Sequence, residues 1–326
     1  MANISVRLAI RDAIAEEMRS NSNVFLIGEE VGEYEGAYKV SQGLLAEFGS
    51  NRIVDTPITE AGFTGLSIGA AMGGLSPIVE FMTWNFAFQA IDQIINSAAK
   101  TFYMSGGSVN IPIVFRGPNG SASQVAAQHS HDLSSIFTNI PGLIVLAPYD
   151  SADAKGLLKS AIREPNPVIF LENEILYNET FEVPEIDYVT PIGKALVKRT
   201  GKDITLVSCS RGVETALGAS DILAKNNISA EIIDLRSLKP IDFETIINSV
   251  KKTNRIISVE EGWLSCGIGS EIISTIASRA FDYLDAPPER ISAEDVPLPY
   301  AKNLESLSLP NKEGVAKICM HYLKNN

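Results

Sequence analysis

The stretch IVDTPITEAGFTGLSIGAAMGG, residues 53–74, carries the fold in miniature. A short apolar run precedes Thr56 and Pro57, and an apolar, glycine-dotted segment of helical length follows, so the stretch reads as strand, turn and helix. Glu60 stands at the junction with no cation beside it in sequence. An ionised carboxylate in a dry site is costly unless paired, so Glu60 must be solvated, partnered or protonated. Position alone favours a helix N-terminus, where a carboxylate meets free amides and the positive end of the dipole. A protonated carboxyl would instead suit the ring nitrogen of a ligand. Gly65, Gly69 and Gly73 recur every four residues and leave one helix face almost bare, which predicts close packing within the chain or between subunits.

The same unit repeats along the chain. VRLAIRDAIAEEM is a helix capped by Ser5 that buries Val6, Ile10, Ala13, Ile14 and Met18, and NVFLIGEE is a buried strand after it. SPIVEFM, IPIVFRGPNG, GLIVLAP and NPVIFLEN read as further strands, AFQAIDQIINSAAKTFYM as one long helix and SADAKGLLKSAI as another. This alternation predicts a mostly parallel sheet with helices on both faces. Residues 172–193 are acidic, proline-bearing and irregular, as a linker is. A second alternating set from DITLVSC to GSEIISTIASRAFDYL predicts a smaller α/β domain. We expect domains at 1–180 and 194–326, joined by 181–193.

Composition narrows the function. The chain has 326 residues, 45% of them hydrophobic, enough for two cores. With 27 basic against 39 acidic residues and a net charge of −12, it is expected to bind neither nucleic acid nor an anionic membrane. No basic head with a following apolar block opens it, and the apolar stretch after Glu60 is too short and too polar for a membrane span, so a cytoplasmic chain or a mature organellar one is expected. Cys209, Cys266 and Cys319 are far apart and form no CxxC pair, which suggests buried thiols rather than a disulfide or zinc framework.

Several patterns have chemical readings. His129 and His131 in QHSHD alternate as on one strand face; a metal site is the weaker reading, and a histidine orienting an acidic substrate in a cleft the better one. CGIGSE, residues 266–271, holds GxG at a helix start without the third glycine of a dinucleotide site. Phe81, Trp84, Phe86 and Phe88 crowd FMTWNFAF; core packing is the default, with one ring free to lie on a flat heterocycle. No GxSxG, Walker or HExxH motif occurs.

Taken together, GEEVGEYEGAYKVSQGL, DTPITEAGFTG, FMTWNFAFQAIDQIINSAAKTFYMSGG, FRGPNGSASQVAAQHSHD, SAIREPNPVIFLENE and EDVPLPYAKNLE make the chain resemble, over nearly its full length, the beta subunits of the thiamine-diphosphate-dependent decarboxylating component of pyruvate dehydrogenase complexes. The resemblance implies a transketolase-like pair of α/β domains, the first binding the cofactor's pyrimidine. It implies that Glu60 hydrogen-bonds a nitrogen of the aminopyrimidine and promotes its imino tautomer. Phe86 would pack on the pyrimidine with Ile58 beside it, and Glu29 would be a second carboxylate near the cofactor. His129, but not His131, would assist acyl transfer to lipoamide. Ile113, Ala161, Ile162, Glu164 and Asn166 match a potassium site built largely from backbone carbonyls. The GDG motif that holds magnesium and diphosphate in this family is absent, which implies a separate alpha subunit supplying it. A heterotetramer of two alpha and two beta chains, docked through the C-terminal domain on a dihydrolipoyl acetyltransferase core, is what the resemblance implies. The rival readings are a branched-chain 2-oxoacid or acetoin dehydrogenase beta subunit, an NAD-dependent oxidoreductase using CGIGSE, and a non-catalytic assembly scaffold.

Overall fold

The structure is a computed structural model that describes residues 1–325. Two compact units emerge: one made of residues 1–119 and 136–192, the other of residues 120–135 and 193 onward. Each has its own sheet.

In the first unit, β1 (Ala2–Ser5) leads into the helix Val6–Ser20, whose N-cap Ser5 accepts from the Leu8 amide. The strands β2 (Val24–Gly28), β3 (Ile53–Asp55), β4 (Ser76–Glu80), β5 (Val114–Pro118), β6 (Ile144–Leu146) and β7 (Val168–Glu172) follow, and β8 (Thr180–Val183) closes the series. β2 to β7 run parallel in the spatial order β6-β7-β5-β4-β2-β3. Their near-continuous apolar runs are what a sheet buried on both faces demands. The helices Val6–Ser20 and Ser151–Arg163 pack together and are tied by ion pairs, with Lys155 Nζ 2.7 Å from Glu16 and Arg163 Nη2 2.7 Å from Glu17. Phe63, Phe81, Trp84, Phe115 and Phe137 form one aromatic cluster, and the Trp84 indole donates to the Phe170 carbonyl at 3.3 Å.

Two local expectations change. The long helix expected over residues 87–104 is helical but not α throughout: Trp84–Ala90 is 3₁₀, Gln93–Ala98 is π and Ala99–Met104 is α. In the π turn Ser97 bonds the Gln93 side chain, and the Thr101 hydroxyl donates to the Ser97 carbonyl at 2.6 Å, so side chains compete with the ladder there. The segment after Glu172 is not irregular throughout either. β8 pairs antiparallel with β1, Ala2 opposite Val183, so the start of the chain gives the strand a partner that local sequence does not show.

The second unit holds β9 (Leu196–Arg199), β10 (Ile204–Ser208), β11 (Ala230–Asp234), β12 (Ser237–Lys239), β13 (Ile256–Trp263) and β14 (Glu289–Ala293). Its sheet runs β14-β13-β10-β11-β9, parallel except for the β9 edge. The helices Gly212–Ala224 and Lys312–Asn325 cover one face over a core that includes Leu206, Ile232, Ile257, Leu223 and Val315. No helix among the described residues is long and apolar enough to cross a membrane.

Candidate functional site

Parallel sheets place their ligands beyond the carboxyl ends of the strands, and the first unit gathers its polar side chains there. β2 ends at Gly28, where a Cβ would lie 2.5 Å from the Glu80 carbonyl oxygen; only glycine lets β2 and β4 stay paired at this point. Glu29 follows at once. The loop it opens takes left-handed backbone at Glu30, Glu35, Gly36, Lys39 and Gly43. Asp55, at the end of β3, holds this loop by accepting from the Gly32 amide at 2.6 Å and the Glu33 amide at 2.9 Å.

Glu60 is the first residue of the helix Glu60–Met72 and is buried, as the position argument expects. Its carboxyl hydrogen-bonds Glu29, which is buried too. Burial, the Glu60 charge and this shared hydrogen bond push Glu29 up to about 7. Two carboxyl groups in contact favour a proton on one of them, and Glu29 is the one held up, so Glu60 finds its partner 31 residues earlier in the chain. Near the pair, the Thr56 amide donates to the Gly28 carbonyl at 3.1 Å, while the Thr56 hydroxyl is buried without a hydrogen-bond partner. Ile58 is 83% exposed, Phe88 is 40% exposed and Phe86 is half-buried. An open isoleucine and an orphan hydroxyl beside a proton-sharing pair form a seat that a partly apolar, hydrogen-bonding ligand would complete.

Beneath this seat lies a network that sequence left unassigned. Arg116 on β5 is fully buried between Glu80 on β4 and Glu172 on β7, with Nε 2.5 Å from Glu172 Oε1. Tyr177 donates to Glu172 at 2.6 Å, and Tyr38, on the loop that Glu29 opens, donates to Glu174 at 2.8 Å. Arg116 is thus a structural cation. The signal was one charge in each of three apolar strands, Glu80 and Glu172 at the ends of theirs and Arg116 in the middle of β5.

The potassium candidates lie at the other end of the strands, where β5 and β7 begin. Ile113 immediately precedes β5, and its carbonyl accepts from the Val168 amide at 2.9 Å. Ala161 and Ile162 are in the last turn of the helix Ser151–Arg163, where the Ala161 carbonyl accepts from Glu164 at 3.3 Å. Asn166 donates to the Glu164 carboxylate at 2.6 Å. Each carbonyl keeps a second lone pair, and a helix C-terminus is the negative pole of its dipole.

His129 belongs to the second unit. It is exposed at the end of a 3₁₀ turn, Ala127–His129, within residues 120–135. His131 does not share its environment: its ring meets Trp263 edge-on at 5.8 Å. No group of three or more His, Cys, Asp or Glu side chains among the described residues is placed to hold a metal. The CGIGSE turn is filled by the chain itself, since Glu260 accepts from the Gly269 amide at 3.1 Å and would lie 2.6 Å from a Cβ on Gly267. A carboxylate already occupies the place of a dinucleotide's phosphate. Of the three free thiols only Cys319 is fully buried; Cys266, on the turn before the helix Ile268–Arg279, is exposed, contrary to expectation. The glycine face divides: a Cβ on Gly65 would lie 3.4 Å from the Gln93 side chain of the same chain, whereas one on Gly69 would meet nothing within 4 Å, with Leu66 and Met72 beside it exposed.

The family model for the transketolase pyrimidine-binding domain matches residues 2–180, and that for the transketolase C-terminal domain matches residues 193–315. The chain is similar to the pyruvate dehydrogenase E1 component subunit beta of Rhizobium meliloti, with 62% identity covering 95% of this chain and 68% of that one. It is 58% identical to the subunit of the same name from Rickettsia conorii, over 98% of this chain and 99% of that one. It is 55% identical to the mitochondrial beta-1 subunit of Oryza sativa, over 96% and 85%. Among solved structures, a split-gene transketolase described as an inactive beta4 tetramer shares the fold, with a TM-score of 0.81 at 22% identity over 99% of both chains.

Proposed function

Because the chain belongs to the family of pyruvate dehydrogenase E1 beta subunits, with a transketolase-like pair of domains, we propose that it forms half of the active site of a pyruvate-decarboxylating, acetyl-transferring enzyme. The observation that carries this reading is the buried Glu29–Glu60 carboxyl pair at the strand ends of the first unit.

Thiamine diphosphate, when bound, supplies the electron sink for loss of carbon dioxide. The residues present fit its pyrimidine. Glu60 would hold a proton at its carboxyl toward an aminopyrimidine nitrogen, and Glu29 would keep that proton available at neutral pH. Thr56 offers the unused hydroxyl, while Ile58 and Phe86 supply apolar contact. His129 would serve acetyl transfer to lipoamide from its exposed turn. Ile113, Ala161, Ile162, Glu164 and Asn166 would hold potassium near the amino ends of β5 and β7. Magnesium would be held mainly by an alpha subunit, since this chain lacks GDG.

We retain 1–180 as the pyrimidine-binding domain, 181–193 as the connection and 194–326 as the C-terminal domain, supported by the two matching family models. The working assembly is two alpha and two beta chains on a dihydrolipoyl acetyltransferase core. The location is cytoplasmic, a reading supported by similarity to bacterial subunits.

The test is pyruvate decarboxylation with thiamine diphosphate and magnesium, comparing the chain alone with the chain co-expressed with its alpha partner. Activity should arise only in the mixture. Glu60→Gln should preserve assembly and lower turnover about a hundredfold or more. Near-normal turnover in that variant would favour the scaffold reading, and preference for a branched-chain substrate would move the enzyme to its sister family.

A further inference from the structure

The turn that carries His129 is held by a device in the second unit. The Ser121 hydroxyl, in a side chain only 2% exposed, donates to Glu261 Oε1 at 3.0 Å and accepts from Arg211 Nη1 at 3.2 Å. Arg211 Nη1 also donates to Glu261 Oε1 at 3.2 Å, which closes a three-membered ring of contacts. Arg211 comes from the turn after β10 and Glu261 from β13, so two adjacent strands of the sheet grip one residue of the loop.

That grip acts on a strained segment. Gln124 and Ala126 take left-handed backbone, at φ 56° and 64°, and the Ala126 carbonyl accepts the His129 amide at 3.3 Å and the Ser130 hydroxyl at 2.8 Å. Non-glycine residues stay in such conformations only where their surroundings over-determine them. The base of the loop is closed by the Gly120 amide on the His131 carbonyl at 3.0 Å, and its middle is held by the Gln124 amide on Glu305 at 3.0 Å. Charge adds a second role for Arg211. Asp132 of the loop repels Glu261, and Arg211 supplies positive charge that offsets it.

We propose that Arg211 is a positioning residue for acetyl transfer: through Ser121 and Glu261 it fixes the loop that presents His129. This rests on the role given to His129 above. Without the guanidinium, Glu261 would lose an attraction that offsets Asp132 and Ser121 would lose one anchor, freeing His129 to wander by more than its task tolerates.

The experiment uses the complex assembled with the alpha subunit. Pyruvate decarboxylation is read with an artificial electron acceptor, acetyl transfer is read on an isolated lipoyl domain, and amide exchange is followed over residues 120–135. Arg211→Met should lower acetyl transfer about tenfold or more, lower decarboxylation no more than about twofold, and speed exchange in the loop. Arg211→Lys should recover part of the loss through its charge, and Ser121→Ala should reproduce its direction should Arg211→Met fail to assemble. A parallel loss of both half-reactions, or unchanged acetyl transfer, would overturn the proposal while leaving the enzyme assignment standing. Absence of decarboxylation in the unmodified complex would instead overturn that assignment.

Discussion

The carboxyl of Glu29, at the end of β2, hydrogen-bonds the carboxyl of Glu60, at the first turn of the next long helix. Like groups in contact cannot both ionise freely, and the proton they keep is lodged where the first sheet presents its strand ends.

Glu29 should therefore titrate near pH 7 in the folded chain. Its folded value lies above the ordinary 4.5, so the folded state binds the extra proton between these values and stability falls as pH rises from about 4.5 to about 7. Glu60→Gln removes the neighbouring charge and should move the Glu29 midpoint down toward its ordinary value. Carbon-13 NMR of labelled glutamates would follow both, and a Glu29 midpoint unchanged by that substitution would contradict the coupling.

Glu260 makes the same argument in the second unit with a different outcome. Burial first, then Asp132, pushes it up to about 7 against the opposing Gly269 and Ile268 amides. Above pH 7 the charged form is a burden on the fold, and Glu260→Gln keeps an acceptor for those amides without the charge. The variant should be more stable by about 1–3 kcal/mol at pH 8, with the gain fading as pH falls toward 4.5. Thermal unfolding of the whole chain at both pH values would check it.

Arg116 neutralises two carboxylates in a fully buried place. Arg116→Met would strand Glu80 and Glu172 without a cation and should cost about 3–5 kcal/mol. Arg116→Lys should rescue little, because one ammonium cannot reproduce the fork that spans Glu80 and Glu172. Denaturant midpoints, with the slope checked for two-state behaviour, would measure both.

The elements were legible where burial is uniform. VFLIG and VIFLE announce strands because both faces of their sheet are covered, and the Glu60 helix announces its start because a carboxylate precedes an apolar run. What remained hidden was polar and distant in sequence. Nothing local to Asp55 shows that it caps amides 22 and 23 residues earlier, or that Glu29 finds Glu60. The side-chain bonds of Gln93, Ser97 and Thr101 accompany a change in helix type that an apolar period of 3.6 does not register. Residues 120–135 read as a continuation of the first domain, yet their anchors, Arg211, Glu261 and Glu305, lie 90 to 181 residues away in sequence.

The pairing of Ala2–Ser5 with Thr180–Val183 also bears on how the protein is made. The segment Ala2–Ser5 cannot find its partner strand until residue 183 has been synthesised, which at ordinary translation speed is about 10–40 s later. Throughout that interval the nascent chain carries apolar strands whose unit is unfinished, so synthesis exposes it to chaperones for longer than its contact-rich native state would suggest. A truncation that removes β1 would leave β8 as an unzipped edge, and the damage should show first as aggregation during expression rather than as a faulty active site.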